Sequence, residues 1–146
     1  MDARLRDRMI FHGAVVLFLG LLAGFPFALV VTGDMEGSEQ AWRMAHLEGV
    51  LNGLLLIAVA AASARLALTA RQQALLAGAL VFMAYGNAIG SVVAAAFDVR
   101  GLEPTGPPIN LVVYAIFTLA VLGILIGTGL LAHGARRSAQ GAGAGD

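Results

Sequence analysis

The sequence predicts an all-α integral membrane protein, a bundle of four transmembrane helices with both termini cytoplasmic. Three observations carry that prediction. Of 146 residues, 59% are hydrophobic and only 12% charged, a balance too apolar for a soluble domain of this size. Four stretches run without formal charge: Ile10 to Thr32, Gly49 to Ala64, Ala74 to Phe97 and Pro108 to Ala132. The nine basic residues are all arginine and are unevenly spread. Arg4, Arg6, Arg8, Arg65, Arg71, Arg136 and Arg137 fall at the termini and in the second loop, whereas only Arg43 and Arg100 lie in the other two loops. By the positive-inside rule the first group faces the cytoplasm.

The first span, about residues 9–32, follows three arginines and so resembles a signal peptide at its start. Its apolar run is too long for that, and three further spans follow. Pro26 predicts a kink within it. In the outer loop, Gly33 to Arg43, Ser38 is placed to cap the next helix, with Glu39 and Gln40 after it and Trp42 at the interface. The second span, about 42–64, is the weakest because it carries His46, Glu48 and Asn52. Without its polar start it falls short of the roughly 20 residues needed to cross about 30 Å of hydrocarbon. The third span covers about 73–97. Gly101, Pro104, Gly106, Pro107 and Pro108 make a turn-rich outer loop before the fourth span, about 108–132. Residues 1–137 read as one domain, and Ser138 to Asp146 as a disordered Gly/Ala-rich tail.

Each span carries two glycines four apart: Gly20 and Gly24, Gly49 and Gly53, Gly86 and Gly90, Gly123 and Gly127. Such pairs admit either a neighbouring backbone or a flat ligand. Polar side chains in hydrocarbon are costly and mark interior partners or function. Counted from the outer ends, His46, Asn52, Asn87, Ser91, Asn110 and Tyr114 all fall in the outer half, a candidate polar pocket built from three helices. His12 lies one turn from the inner surface, roughly 20 Å from His46 along the membrane normal, so the two cannot share a metal. If His46 binds a metal, it is the single histidine its subunit supplies, which fits a cofactor with one open face better than a two-histidine electron-transfer haem. His46, Gly49 and Gly53 share a helix face at i, i+3, i+7, which suits a flat macrocycle; an interfacial histidine without a ligand is the alternative. Glu48 falls nearly opposite and reads as an outer-face salt-bridge partner of Arg43 or Arg100.

The segment Ala41-Trp42-Arg43-Met44-Ala45-His46-Leu47-Glu48-Gly49-Val50-Leu51-Asn52-Gly53 resembles, without gaps, the corresponding part of styrene oxide isomerase in its Trp, Arg, Ala, His, Asn and Gly positions. Arg8-Met9 with His12-Gly13, and Asn87 followed by Arg100-Gly101-Leu102, are similar to further landmarks of that family. The resemblance implies a homotrimer in the cytoplasmic membrane of a bacterium. It also implies haem b held between subunits, whose ferric iron acts as a Lewis acid turning an aryl epoxide such as styrene oxide into an aldehyde. It implies His46 as the axial iron ligand, in a cofactor site with Gly49 and Gly53, and Asn52 near the substrate oxygen, with Asn87, Ser91 and Tyr114 as further candidate catalytic residues. Two positions depart: Ser91 stands where the family has a tyrosine, and Met83 where it has a buried aspartate. Tyr114 and Tyr85 are the phenols available instead.

The leading expectation is therefore an epoxide isomerase, with a hydrophobic epoxide and the lipid bilayer as partners. The alternative is a non-catalytic membrane haem-binding protein, a carrier or sensor; a purely structural membrane protein is a third reading. With no cysteine, thiolate metal sites and cysteine nucleophiles are excluded. No span carries the repeated ionisable stripe of a channel, and the inner arginines are explained by topology rather than by nucleic acid.

Overall fold

The computed structural model describes residues 1–142, and four helices account for most of them: α1 (Ala3–Thr32), α2 (Glu39–Ala62), α3 (Ala70–Ala96) and α4 (Pro108–Ala142). All four are long and apolar enough to cross a membrane. A single 3₁₀ turn, Ser63–Arg65, begins the α2–α3 connection. Polar residues set the ends. Asp2 caps α1 by accepting from the Leu5 N–H, and Gly33 closes it at φ 79°, donating to the carbonyls of Leu29 and Val30. Ser38 caps α2 as expected, accepting from the Ala41 N–H. Thr69 and Gln72 form a reciprocal capping box on α3.

α1 and α3 begin several residues before the apolar runs do, because Asp2 and Thr69 start the hydrogen-bond ladder within polar sequence. Pro26 lies inside α1 without ending it. The largest departure is at the C-terminus. Residues Ser138 to Ala142, expected as disordered tail, continue α4, and residues 143–146 lie outside the described part. The α2–α3 loop accounts for the extension: Gly134 O accepts from Ala67 N at 3.1 Å, and the Ser138 hydroxyl donates to Arg65 O at 2.7 Å.

Packing is inside-out relative to a soluble protein. Phe11, Phe18, Phe25, Phe82 and Leu125 are exposed, while the interior is rich in glycine and alanine. With no hydrophobic force between helices in lipid, close backbone approach is what such small residues provide. α1 and α2 make the most intimate pair. A Cβ on Gly49 would overlap Gly20 Cα, and one on Gly53 would lie 2.5 Å from Leu17 N and 2.7 Å from Gly13 O. α3 packs against α2 and, on another side, against α4, where Gly123 abuts Ala79 O and Met83. α4 has no substantial contact with α1 or α2, so α2 and α4 flank α3 and leave a groove between them.

Candidate functional site

That groove has a volume of 740 Å³ and lies at the end of the bundle carrying the α1–α2 and α3–α4 loops. Met44 and Glu48 from α2, Asn87 and Ser91 from α3, and Phe117 and Val121 from α4 form its walls; Asp98, Arg100 and Leu102 stand at its mouth. Two of the expected pocket residues, Asn87 and Ser91, thus line one cavity. They do so because Asn87 and Ser91 are one turn apart on α3, which puts both on the α2–α4 side. Ser91 is buried, and Asn87 donates only a weak bond to Met83 Sδ at 3.4 Å, so both keep polar capacity for a ligand.

Asn52 is 8% exposed and sits one turn deeper on α2 than Glu48. Its Nδ2 donates to the Glu48 backbone carbonyl at 2.8 Å and to Glu48 Oε2 at 2.7 Å. This corrects the reading of Glu48 as a salt-bridge partner of Arg43 or Arg100: among the described residues the one ion pair joins Arg6 and Asp7. Glu48 faces the groove and holds Asn52. The i, i+4 spacing of Glu48 and Asn52 was the available signal.

His46 lies on the other flank of α2. Nδ1 is 2.8 Å from the Gly20 carbonyl of α1, and Phe27 stacks on the imidazole at 6.4 Å between centroids, 15° from parallel. A carbonyl only accepts, so Nδ1 carries the proton and Nε2 keeps its lone pair. Gly24 gives the ring its space, since a Cβ there would lie 3.1 Å from Nδ1. None of Gly20's carbonyl, Gly24 or Phe27 was singled out for this role from sequence, because each acts only through the α1–α2 crossing. Gly49 and Gly53 do not form the expected flat seat beneath His46. The α1 backbone at Gly13, Leu17 and Gly20 fills that face.

Three further expectations are revised. Asn110 is no part of the groove wall: its Oδ1 accepts from Gly101 N at 2.8 Å, and Nδ2 donates to Glu103 O at 2.8 Å and Thr105 O at 2.7 Å, tying down the α3–α4 loop. Tyr114 is not among the groove-lining residues, its place on α4 being taken by Phe117 and Val121. Tyr85 is engaged with His12, whose Nδ1 lies 3.1 Å from the phenol oxygen. His12 and His46 remain on separate partners, and among the described residues no three His, Cys, Asp or Glu side chains are placed to hold a metal together.

Four helices long and apolar enough to cross a membrane, an oriented histidine on one flank of α2 and a polar groove on the other mark an integral membrane protein with polar side chains gathered at one end of its bundle. The chain belongs to the styrene oxide isomerase family, whose profile matches residues 5–136. No individually curated protein matches it.

Proposed function

We propose that this protein is a haem-dependent membrane isomerase that converts a hydrophobic epoxide, of the aryl type represented by styrene oxide, to an aldehyde. The observation that carries the reading is the His46–Gly20 hydrogen bond in a member of this family. A proton fixed on Nδ1 leaves Nε2 as a metal donor, and hydrogen bonding of the second nitrogen is the usual partner of a metal-bound histidine. With a single such donor, the metal must bring its remaining ligands, as haem b does. When bound at His46, a ferric haem supplies a Lewis acid for the epoxide oxygen.

The chain's own residues bind and orient. The apolar walls at Met44, Phe117 and Val121 take an aryl group and exclude water, which would otherwise trap a cationic carbon as a diol. Asn87, Ser91 and Glu48 supply polar contacts from the groove wall, and Asn52, outside the lining, donates to the Glu48 carboxylate and holds it in place. His46 and the groove occupy opposite flanks of α2, so one copy can complete its neighbour's site. A closed ring of copies, a homotrimer with haem near the subunit interface, satisfies that requirement. The arginine distribution supports termini on the cytoplasmic side of a bacterial inner membrane.

The test is an absorption spectrum of detergent-purified protein together with product analysis on styrene oxide. A haem band lost in His46→Ala, and aldehyde formed by the wild type, are the expected results. Absence of haem from protein expressed with ample haem supply would overturn the reading. A second reading, a haem carrier or sensor without turnover, is favoured by one observation: neither Tyr85 nor Tyr114 presents a phenol to the groove, and Ser91 holds the family's tyrosine position. Haem binding with no aldehyde from a broad panel of epoxides would select it.

A further inference from the structure

We propose that the end of the bundle opposite the groove carries a binding site for an anionic glycerophospholipid, formed where the α2–α3 loop meets the end of α4 and read by Arg65, Arg71, Arg136 and Arg137. Neither haem nor an epoxide is needed for it.

The fold brings these arginines to one junction. Residues 65–68 of the loop lie along the last turns of α4: Gly134 O accepts from Ala67 N at 3.1 Å, and the Ser138 hydroxyl donates to Arg65 O at 2.7 Å. Leu68 is buried there, and a Cβ on Gly134 would lie 2.8 Å from its Cγ, so loop and helix are in close contact. Arg137 adjoins Ser138 in the chain, so Arg65 and Arg137 flank a single hydrogen bond. Arg136 precedes Arg137 on α4, and Arg71 stands in the first turn of α3, just past the loop. All four are exposed.

No carboxylate answers them. The sequence has no Asp or Glu from Gly49 to Phe97 or from Pro104 to Gly145, and the one ion pair among the described residues, Arg6 with Asp7, lies on α1. Asp2, also at this end, caps α1. Asp146 lies outside the described residues. Guanidinium groups drawn to one place repel one another unless an anion joins them from outside. Topology asks only that arginines lie on this side of the membrane. It does not ask that α4 continue as one helix of 35 residues, or that Ser138 tie it to the loop beside Arg65.

Depth and chemistry name the anion. From Pro108 to Arg137 the helix is about 43 Å long at 1.5 Å per residue, close to the roughly 40–45 Å of a bilayer with its headgroups. Arg136 and Arg137 therefore reach the level of lipid phosphates. Leu125 and Ile126, exposed earlier on α4, give acyl chains an apolar surface. A guanidinium grips a phosphodiester through two parallel N–H bonds, which an ammonium cannot do, and every basic residue of this chain is arginine. A headgroup carrying its own ammonium would restore the repulsion. A lipid of the phosphatidylglycerol kind has none.

Binding of phosphatidylglycerol, and of phosphatidylcholine with the same acyl chains, to the full-length protein in uncharged detergent is followed by native mass spectrometry. Wild type is expected to favour phosphatidylglycerol. Arg65→Gln combined with Arg137→Gln should lose about tenfold or more of that preference, since each arginine beside an anionic headgroup contributes several-fold. Arg4→Gln combined with Arg8→Gln removes as much charge from the same end of the molecule and should leave most of the preference in place. Unchanged phosphatidylcholine binding and thermal unfolding certify the fold of each variant. A wild type that binds both lipids alike overturns the proposal, and so does an equal loss in the two double variants, which would reduce the effect to diffuse charge attraction. Inorganic phosphate bound as tightly as phosphatidylglycerol would make the ligand a free anion and overturn the assignment to lipid.

Discussion

His46 donates its Nδ1 proton to the Gly20 carbonyl across the α1–α2 crossing, 2.8 Å away. That carbonyl lies within α1 and Gly24 clears the space one turn on, so the imidazole is held by backbone rather than by a mobile side chain. Gly24→Val is expected to displace the ring and lower haem affinity about ten- to a hundredfold, the usual effect of disturbing the group that orients a metal-bound histidine. Haem titration followed by absorption measures it. Affinity equal to wild type would show that the crossing does not orient His46.

The glycines of the same crossing test packing against cofactor binding. Gly49→Ala sets a Cβ on the Gly20 backbone, and Gly53→Ala sets one 2.5 Å from Leu17 N. Each should cost about 1–3 kcal/mol or more through overpacking, with or without haem. Gly78→Ala and Gly129→Ala meet open space and should be neutral or stabilising, by up to about 1 kcal/mol. Thermal unfolding of haem-free protein in detergent separates the two sets. A Gly49→Ala protein that unfolds like wild type would return that face to the cofactor.

The α3–α4 loop hangs on Asn110. One side chain satisfies the Gly101 N–H and two carbonyls, of Glu103 and Thr105, and it is buried. Asn110→Ala leaves these groups to water or to nothing, at a cost of about 1–3 kcal/mol. Asn110→Asp keeps the acceptor but loses both donated bonds, so it should not rescue. Limited proteolysis at the loop, compared across the three proteins, is the direct measurement; equal protection in all of them would contradict the assignment.

What was legible in the sequence followed from local rules. Four apolar runs and a capping Ser38 place the helices, and Asn87 and Ser91, both read as lying in the outer half, line one groove. What was not legible depended on which element lies opposite. A glycine pair has the same spacing whether a backbone or a macrocycle covers it, and only α1 decides the matter for Gly49 and Gly53. Glu48 was read through distant arginines, although its nearest partner, Asn52, is one turn away. Ser138 to Ala142 look like linker by composition, and contacts of Gly134 and Ser138 with the α2–α3 loop make that stretch helical.

Tyrosine substitutions bear on which phenol, if any, serves the groove. Tyr114→Phe should change turnover less than twofold, since Tyr114 does not line the cavity. Tyr85→Phe removes the bond with His12 and should cost about 0.5–1.5 kcal/mol of stability with little effect on the Michaelis constant. A large loss of kcat in Tyr114→Phe, with normal expression and unfolding, would bring that residue into the site.

Ser91→Tyr is the more informative change, because it adds a function instead of removing one. Ser91 is buried on the groove wall one turn from Asn87, and the 740 Å³ cavity ahead of it has room for a ring. It stands where the sequence resemblance puts the family's tyrosine. A phenol there would add a hydrogen-bonding group opposite the Glu48 wall and narrow the cavity around an aryl substrate. If the groove holds epoxides, KM for styrene oxide should fall several-fold in Ser91→Tyr, because one added hydrogen bond is worth about 0.5–1.5 kcal/mol. If the serine instead reflects a bulkier natural substrate, styrene oxide turnover rises while turnover of larger epoxides falls, and the crossover in kcat/KM across a size series measures the space the tyrosine takes. A variant that binds haem, folds as wild type and shows no change with any epoxide would place the groove outside the reaction.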